Sequence, residues 1–171
     1  MVGTKEVDLP CEGPVVIDVT RLVGRVVLKS VYLDFALPQH QRLSFEITDV
    51  YVVNAAGDRA YLEENEPSFW YNEGACDPAA TLPHLYDAVV DGSLVSRGPK
   101  YETNHYFYCY PNNTEKKTRL VVEALIGGNP YYYPITLDEI RSNHAYAYDL
   151  TITRLGSDSP NVPVDESVVT Y

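Results

Sequence analysis

Apolar residues recur at every second position over much of the chain. In "PVVIDVTRLVGRVVLKSVYLDF" (14–35), Val15, Ile17 and Val19 alternate with their neighbours, the pattern slips at Thr20 and Arg21, and it resumes through Val27 and Val31. A period of two puts successive side chains on opposite faces of an extended backbone, so this block predicts two strands, or one strand bent near Gly24. In "RLSFEITDVYVVNAAGDRAYL" (42–62), Phe45 and Ile47 share a face, the register shifts near Asp49, and Val50 and Val52 follow. That is a strand with a bulge, closed by a turn over 54–58.

The pattern then fails. "EENEPSFWYNEGACDPAATL" (63–82) mixes acids, prolines and glycine around Trp70 and reads as an irregular connection between two lobes. "LPHLYDAVVDGSLV" (82–95) fits a short helix or a strand, with Asp91-Gly92 marking a turn. Beyond it the strands are plainer. "HYFYCYPNN" (105–113) is a strand closed by its last three residues, and "TRLVVEALIGGNPYYYPITL" (118–137) is a hairpin turning at Gly127-Gly128. "LDEIRSN" (137–143) predicts a helical turn capped by Asn143. In "AYAYDLTITRL" (145–155), Tyr146, Tyr148, Leu150 and Ile152 face one way and Ala147, Asp149, Thr151 and Thr153 the other, one face core and one face wet.

No segment carries a long helical period, and fifteen tyrosines against a single methionine favour strands, so the fold class expected is all-β. The domain division expected is a sandwich lobe over 1–62, the connection over 63–82, and a second lobe with a C-terminal tether over 83–171.

The formal net charge of −11 argues against nucleic acid, since Lys116-Lys117 is the sole basic doublet. Cys11, Cys76 and Cys109 are odd in number and widely spaced, which supports neither a zinc site nor a redox motif. At most one disulfide can form, and Cys109, within "HYFYCY", reads as a small buried apolar residue. His40, His84, His105 and His144 lie in separate segments with no local carboxylate or second histidine, and read as surface or edge-strand residues. Nucleophile-elbow and phosphate-loop motifs do not occur. The oxygen-rich stretches "GDRAYLEEN" and "SDSPNVPVDE" lack ordered calcium spacing and read as solvated connectors. The tyrosine runs 131–133 and 106–110 read as core and edge packing, with a sugar-stacking platform as the sharper alternative. No catalytic, metal or cofactor site is expected, nor any enzyme activity.

Four stretches, "DVTRLVGRVVLKSV", "FEITDVYVVNAAG", "HYFYCYPNNTEKKTRLVVEALIGGNPYYYPITL" and "IRSNHAYAYDLTITRLGSDSPNVPV", together resemble the fimbrillin-like proteins of Bacteroidales, the type V pilins and their anchor and tip relatives. The last two are the specific ones, with Y-x-Y-P-N-N, Y-Y-Y-P-I, R-x-N-x-x-Y and a G-S-D-x-P-x-x-P-V coda. The resemblance implies two transthyretin-like β-sandwich lobes with Greek-key sheets, the first incomplete here. It implies a lipoprotein precursor exported through the periplasm to an outer-membrane fimbria. In such pilins an arginine-specific protease removes an N-terminal strand, and a C-terminal strand of the next subunit fills the groove this opens. Partners would be other fimbrial subunits or copies of itself, with host or bacterial surface receptors besides.

On that reading the segment 156–164 is a tether, kept out of sheet pairing by Pro160 and Pro163. The segment beginning with "VPVDESVVTY" (162–171) is donated or folded back, and Val162, Val164, Val168 and Tyr171 are the side chains expected to insert. Arg21 and Arg25 read as structural. A non-polymerising surface adhesin or glycan-binding module is the alternative function.

Overall fold

The computed structural model describes residues 1–8, 13–59, 66–162 and 168–170. The strands are β1 (Gly24–Leu33), β2 (Phe45–Val53), β3 (Ala55–Ala56), β4 (Trp70–Tyr71), β5 (Tyr86–Ala88), β6 (Ser93–Leu94), β7 (Tyr101–Cys109), β8 (Thr118–Ile126), β9 (Asn129–Leu137), β10 (Ala145–Ile152) and β11 (Val168–Thr170). One 3-10 turn, His40–Arg42, is the helical element among the described residues. One sheet runs β11-β10-β1-β7, the other β5-β2-β8-β9 with β6 also on β2. β3 and β4 form a separate two-stranded ribbon. The two larger sheets face each other over one apolar core. The all-β sandwich is thus the fold.

The residues that build that core alternate as their pattern requires. β10 buries Tyr148, Leu150 and Ile152 and leaves Asp149 and Thr151 partly wet. β1 sits between two neighbours, parallel to β10 and antiparallel to β7, and its Val26, Leu28 and Val31 are fully buried. Side chains this deep each contribute about 1.5–3 kcal/mol. The hairpin turns at Gly127 (φ 58°) and Gly128 (φ 84°), a pair of left-handed residues whose twist matches that of the strands. The expected bulge in β2 falls between Ile47 and Asp49, and β1 carries a second between Leu28 and Ser30.

Three expectations need correction. Residues 1–62 and 83–171 do not pair as separate lobes: β1 joins β7 and β10, β2 joins β8, and both contribute to the same core. A composition break marks the connection, while the pairing partners of β1 and β2 all lie beyond it. The alternating stretch at 15–19 forms no strand. Both flanks of β1 are occupied, and Val15, Val16, Ile17 and Val19 stand 40–66% exposed, with an antiparallel bridge of Val2 with Thr20 following them. The helical turn at 137–143 is replaced by an isolated bridge of Ile140 with Asn112, although Asn143 does take a left-handed φ of 59°. Cys109 is buried and Cys76 half-buried, both as free thiols, and Cys11 lies outside the described residues.

Candidate functional site

The two long flanks of the sandwich are closed differently. At one, β5 of the second sheet meets β7 of the first through His105, whose Nδ1 lies 2.6 Å from Asp87 Oδ2 and whose Nε2 lies 3.1 Å from Tyr101 Oη. His105 stands on β7, an edge strand, as one of the two sequence readings had it, but it is 4% exposed and forms a buried polar clip between the sheets. Its carboxylate arrives from another strand of the other sheet, where no local motif records it.

At the opposite flank, β9 and β10 are the facing edges. Among the described residues β11 pairs with β10 at Asp149, Leu150 and Thr151, and no described strand flanks β10 on that side at residues 145–147. A groove of about 570 Å³ opens beside them, walled by Tyr146, Tyr148 and the two alanines of β10 and by Thr136 of β9. Unpaired main-chain donors and acceptors beside an apolar trough are what an added strand requires.

Of the side chains expected to insert, Val162 is 53% exposed at the end of the coda. Val168 opens β11 and lies opposite Thr151 of β10. Val164 and Tyr171 lie outside the described residues. The coda itself is held against the second sheet over 156–161, which corrects the expectation of a free tether there. Ser157 exchanges two 2.9 Å main-chain bonds with Tyr132, Tyr133 donates its hydroxyl to the Arg154 carbonyl at 2.9 Å, and the Asn161 amide donates to the Gly74 carbonyl. Gly156 is required here, because a Cβ would stand 2.6 Å from the Tyr132 carbonyl oxygen.

Adjoining the groove, a second concavity of about 270 Å³ lies between the end of β7 and the connection from β9 to β10. Arg59 and Arg141 line it together with Ser142, Asn113, Pro111 and Ile140, and Glu139 stands on its rim. The walls are fixed by a buried polar network. Asn112 exchanges main-chain bonds of 3.0 and 2.8 Å with Ile140, and its side-chain amide donates to the Lys116 carbonyl at 2.8 Å and to Thr118 Oγ1 at 3.0 Å. Thr118 in turn donates to the Asn54 carbonyl at 2.8 Å. Arg59 donates to the Ser142 hydroxyl, and Arg141 pairs with Glu139 at 2.7 Å, which holds the Glu139 carboxyl below its usual range.

A third polar group covers the outer face of the second sheet. Asp49 of β2 and Glu123 of β8 are cross-strand neighbours. Tyr86 donates to Asp49, and Tyr51 donates to Glu123 at 3.3 Å. Burial first, then the neighbouring Asp49, raises the Glu123 carboxyl above its ordinary value. The Tyr51 phenol, buried and facing Glu123, is raised far above the usual phenol range. Among the described residues no three His, Cys, Asp or Glu side chains are grouped so as to hold a metal ion. No helix of the described residues is long and apolar enough to cross a membrane.

No family model matches the chain, and no curated protein matches it in sequence. Solved structures do. A "putative cell adhesion protein" from Bacteroides eggerthii superposes with a TM-score of 0.61 at 21% identity, over 90% of this chain and 55% of that one. Two from Parabacteroides distasonis, described in the same words, give 0.59 at 18% identity (88% and 51% covered) and 0.55 at 17% (90% and 58%). At such identities the likeness is one of fold. The chain spans about half the length of these structures.

Proposed function

We propose that this chain is part of a bacterial cell-surface adhesion protein of the fimbrillin-like kind, a structural subunit of a type V fimbria assembled by strand complementation. The fold shared with Bacteroidales proteins described as cell adhesion proteins supports a surface role in adhesion and a non-catalytic one. The observation that carries the assembly reading is the short pairing of β11. Among the described residues three pairs tie the C-terminal segment to β10, and residues 145–147 lie beside an apolar groove. A strand held by so few bonds exchanges readily for an equivalent strand from a neighbour, because the main-chain bonds lost and gained are alike and the longer pairing gains more. Copies of itself or other fimbrial subunits are the partners on this reading, and a lipid-bearing exported precursor its source.

The test is made on the full-length protein at its native cell surface, with residues 164–171 deleted. Detergent-resistant ladders of the parent protein should collapse to monomer in the deletion variant. Ladders of unchanged length would refute strand complementation through this segment.

A further inference from the structure

The concavity beside the groove has a chemistry that strand pairing does not use. Two guanidinium groups approach it from separate parts of the chain in a protein of net charge −11. Arg141 is already matched by Glu139 at 2.7 Å. Arg59, half-buried, hydrogen-bonds a neutral hydroxyl, that of Ser142, and makes no ion pair among the described residues. A planar guanidinium presents five N–H donors in a fork that fits a carboxylate through two parallel bonds, and only part of that fork is engaged here. Around it stand the neutral groups that recognise hydroxyls: the exposed Asn113 side chain, with one acceptor and two donors, and the Ser142 hydroxyl. Pro111 and the buried Ile140 supply an apolar patch against which the C–H face of a ring can lie. At about 270 Å³ the space suits one ring with its substituents and not an extended chain.

We infer that this concavity is a binding site for a carboxylated sugar, a uronic or sialic acid unit of a surface glycan. Its carboxylate lies on Arg59 and the free side of Arg141, and its hydroxyls on Asn113 and Ser142. Glu139 sets the specificity. It neutralises most of the Arg141 charge, so that a single negative charge is accepted, and it repels a doubly charged phosphate or sulfate ester brought to the same place. The Ile140 and Asn112 amides are spent on each other's carbonyls and do not serve to capture a peptide C-terminus. The site rests on the surface-adhesion reading for its biological ligand but not on polymerisation.

Isothermal titration of the whole chain decides it, with N-acetylneuraminic acid, glucuronic acid and galacturonic acid as probes. Their methyl esters, acetate, and a short peptide with a free C-terminus serve as comparisons. At least one acid should bind ten times or more tightly than its methyl ester and than acetate, and Arg59→Gln should weaken it at least tenfold with an unchanged melting temperature. Arg141→Gln should weaken it as well, and Lys100→Gln, outside the concavity, should not. Equal binding of acid and ester, equal binding of acetate or the peptide, or an unchanged affinity in Arg59→Gln would overturn the assignment. So would failure of all three acids to bind. Fimbrial ladders from cells carrying Arg59→Gln should stay as long as the parent's, so loss of the sugar site and loss of assembly are read separately.

Discussion

Thr118→Val replaces a hydroxyl by a methyl group of nearly the same volume at a position with no solvent exposure. The hydroxyl both donates to the Asn54 carbonyl at 2.8 Å and accepts from the Asn112 amide at 3.0 Å. The valine removes both bonds and leaves a buried carbonyl and a buried N–H to satisfy. Each such stranded group costs about 1–3 kcal/mol, so about 3 kcal/mol is expected for the pair. In a chain of 171 residues this corresponds to a fall in Tm of about 6–12 °C. Thr118→Ser separates the causes. It keeps the hydroxyl and loses one methyl group, which costs about 1 kcal/mol. Thermal and urea unfolding of the three proteins gives the order parent, serine, valine. If valine proves as stable as the parent, or serine the worse of the two, Thr118 acts through apolar packing and the network does not hold the end of β7 to Ile140.

Two further outcomes rest on particular contacts. Glu123→Gln should raise stability at neutral pH, with the gain fading in acid. The folded protein binds the Glu123 proton more tightly than the unfolded chain, so this carboxyl costs nothing below its ordinary value of 4.5 and destabilises as pH climbs through the raised folded value. A Tm difference constant from pH 4 to pH 8 would refute that. Gly24→Ala should cost about 1–3 kcal/mol, because its Cβ would stand 2.7 Å from Ile140 Cγ2 and 2.9 Å from the Arg141 carbonyl oxygen, and chemical denaturation reads the loss directly.

Strands whose faces differ were legible in the sequence, and those set by their neighbours were not. The alternation in β10, the paired glycines of the β8–β9 turn and the register slip at Asp49 are local signals, and each predicts what it builds. The alternation of Val15, Ile17 and Val19 is equally regular, yet a strand needs an edge to join, and β1 has β7 and β10 on its two sides. The sequence also supplies no measure of which strands cross the composition break at 63–82. The same holds for the sites. Arg59 and Ser142 meet across 83 residues, and His105 finds Asp87 in the opposite sheet, so neither spacing resembles a motif. Asn112 shows the converse. It heads an N-x-T triplet, Asn112-Asn113-Thr114, yet it is 3% exposed and its amide is committed to Lys116 and Thr118.

The two flanks of the sandwich bear on how such a subunit would associate. At the β5–β7 flank the buried His105 of β7 joins the sheets through the Asp87 carboxylate of β5, and separating them would take that partner from a buried imidazole. At the β9–β10 flank the described ties include a two-bond bridge of Tyr132 with Ser157 and the Tyr133 hydroxyl on the Arg154 carbonyl, and β11 pairs with β10 at three described residues. On these contacts insertion of a new strand costs least at the second flank, where a groove lies beside residues 145–147 of β10. The sugar-binding concavity opens next to that groove and shares Arg141 and Glu139 with it. A strand seated along residues 145–147 would pass beside the pair that shapes the carboxylate site, so on the two readings together assembly and glycan affinity are coupled. A donor-strand peptide of sequence 162–171 added to the chain should then change the sugar affinity of the parent, and should leave it unchanged where Ala147→Pro blocks pairing at the β10 edge.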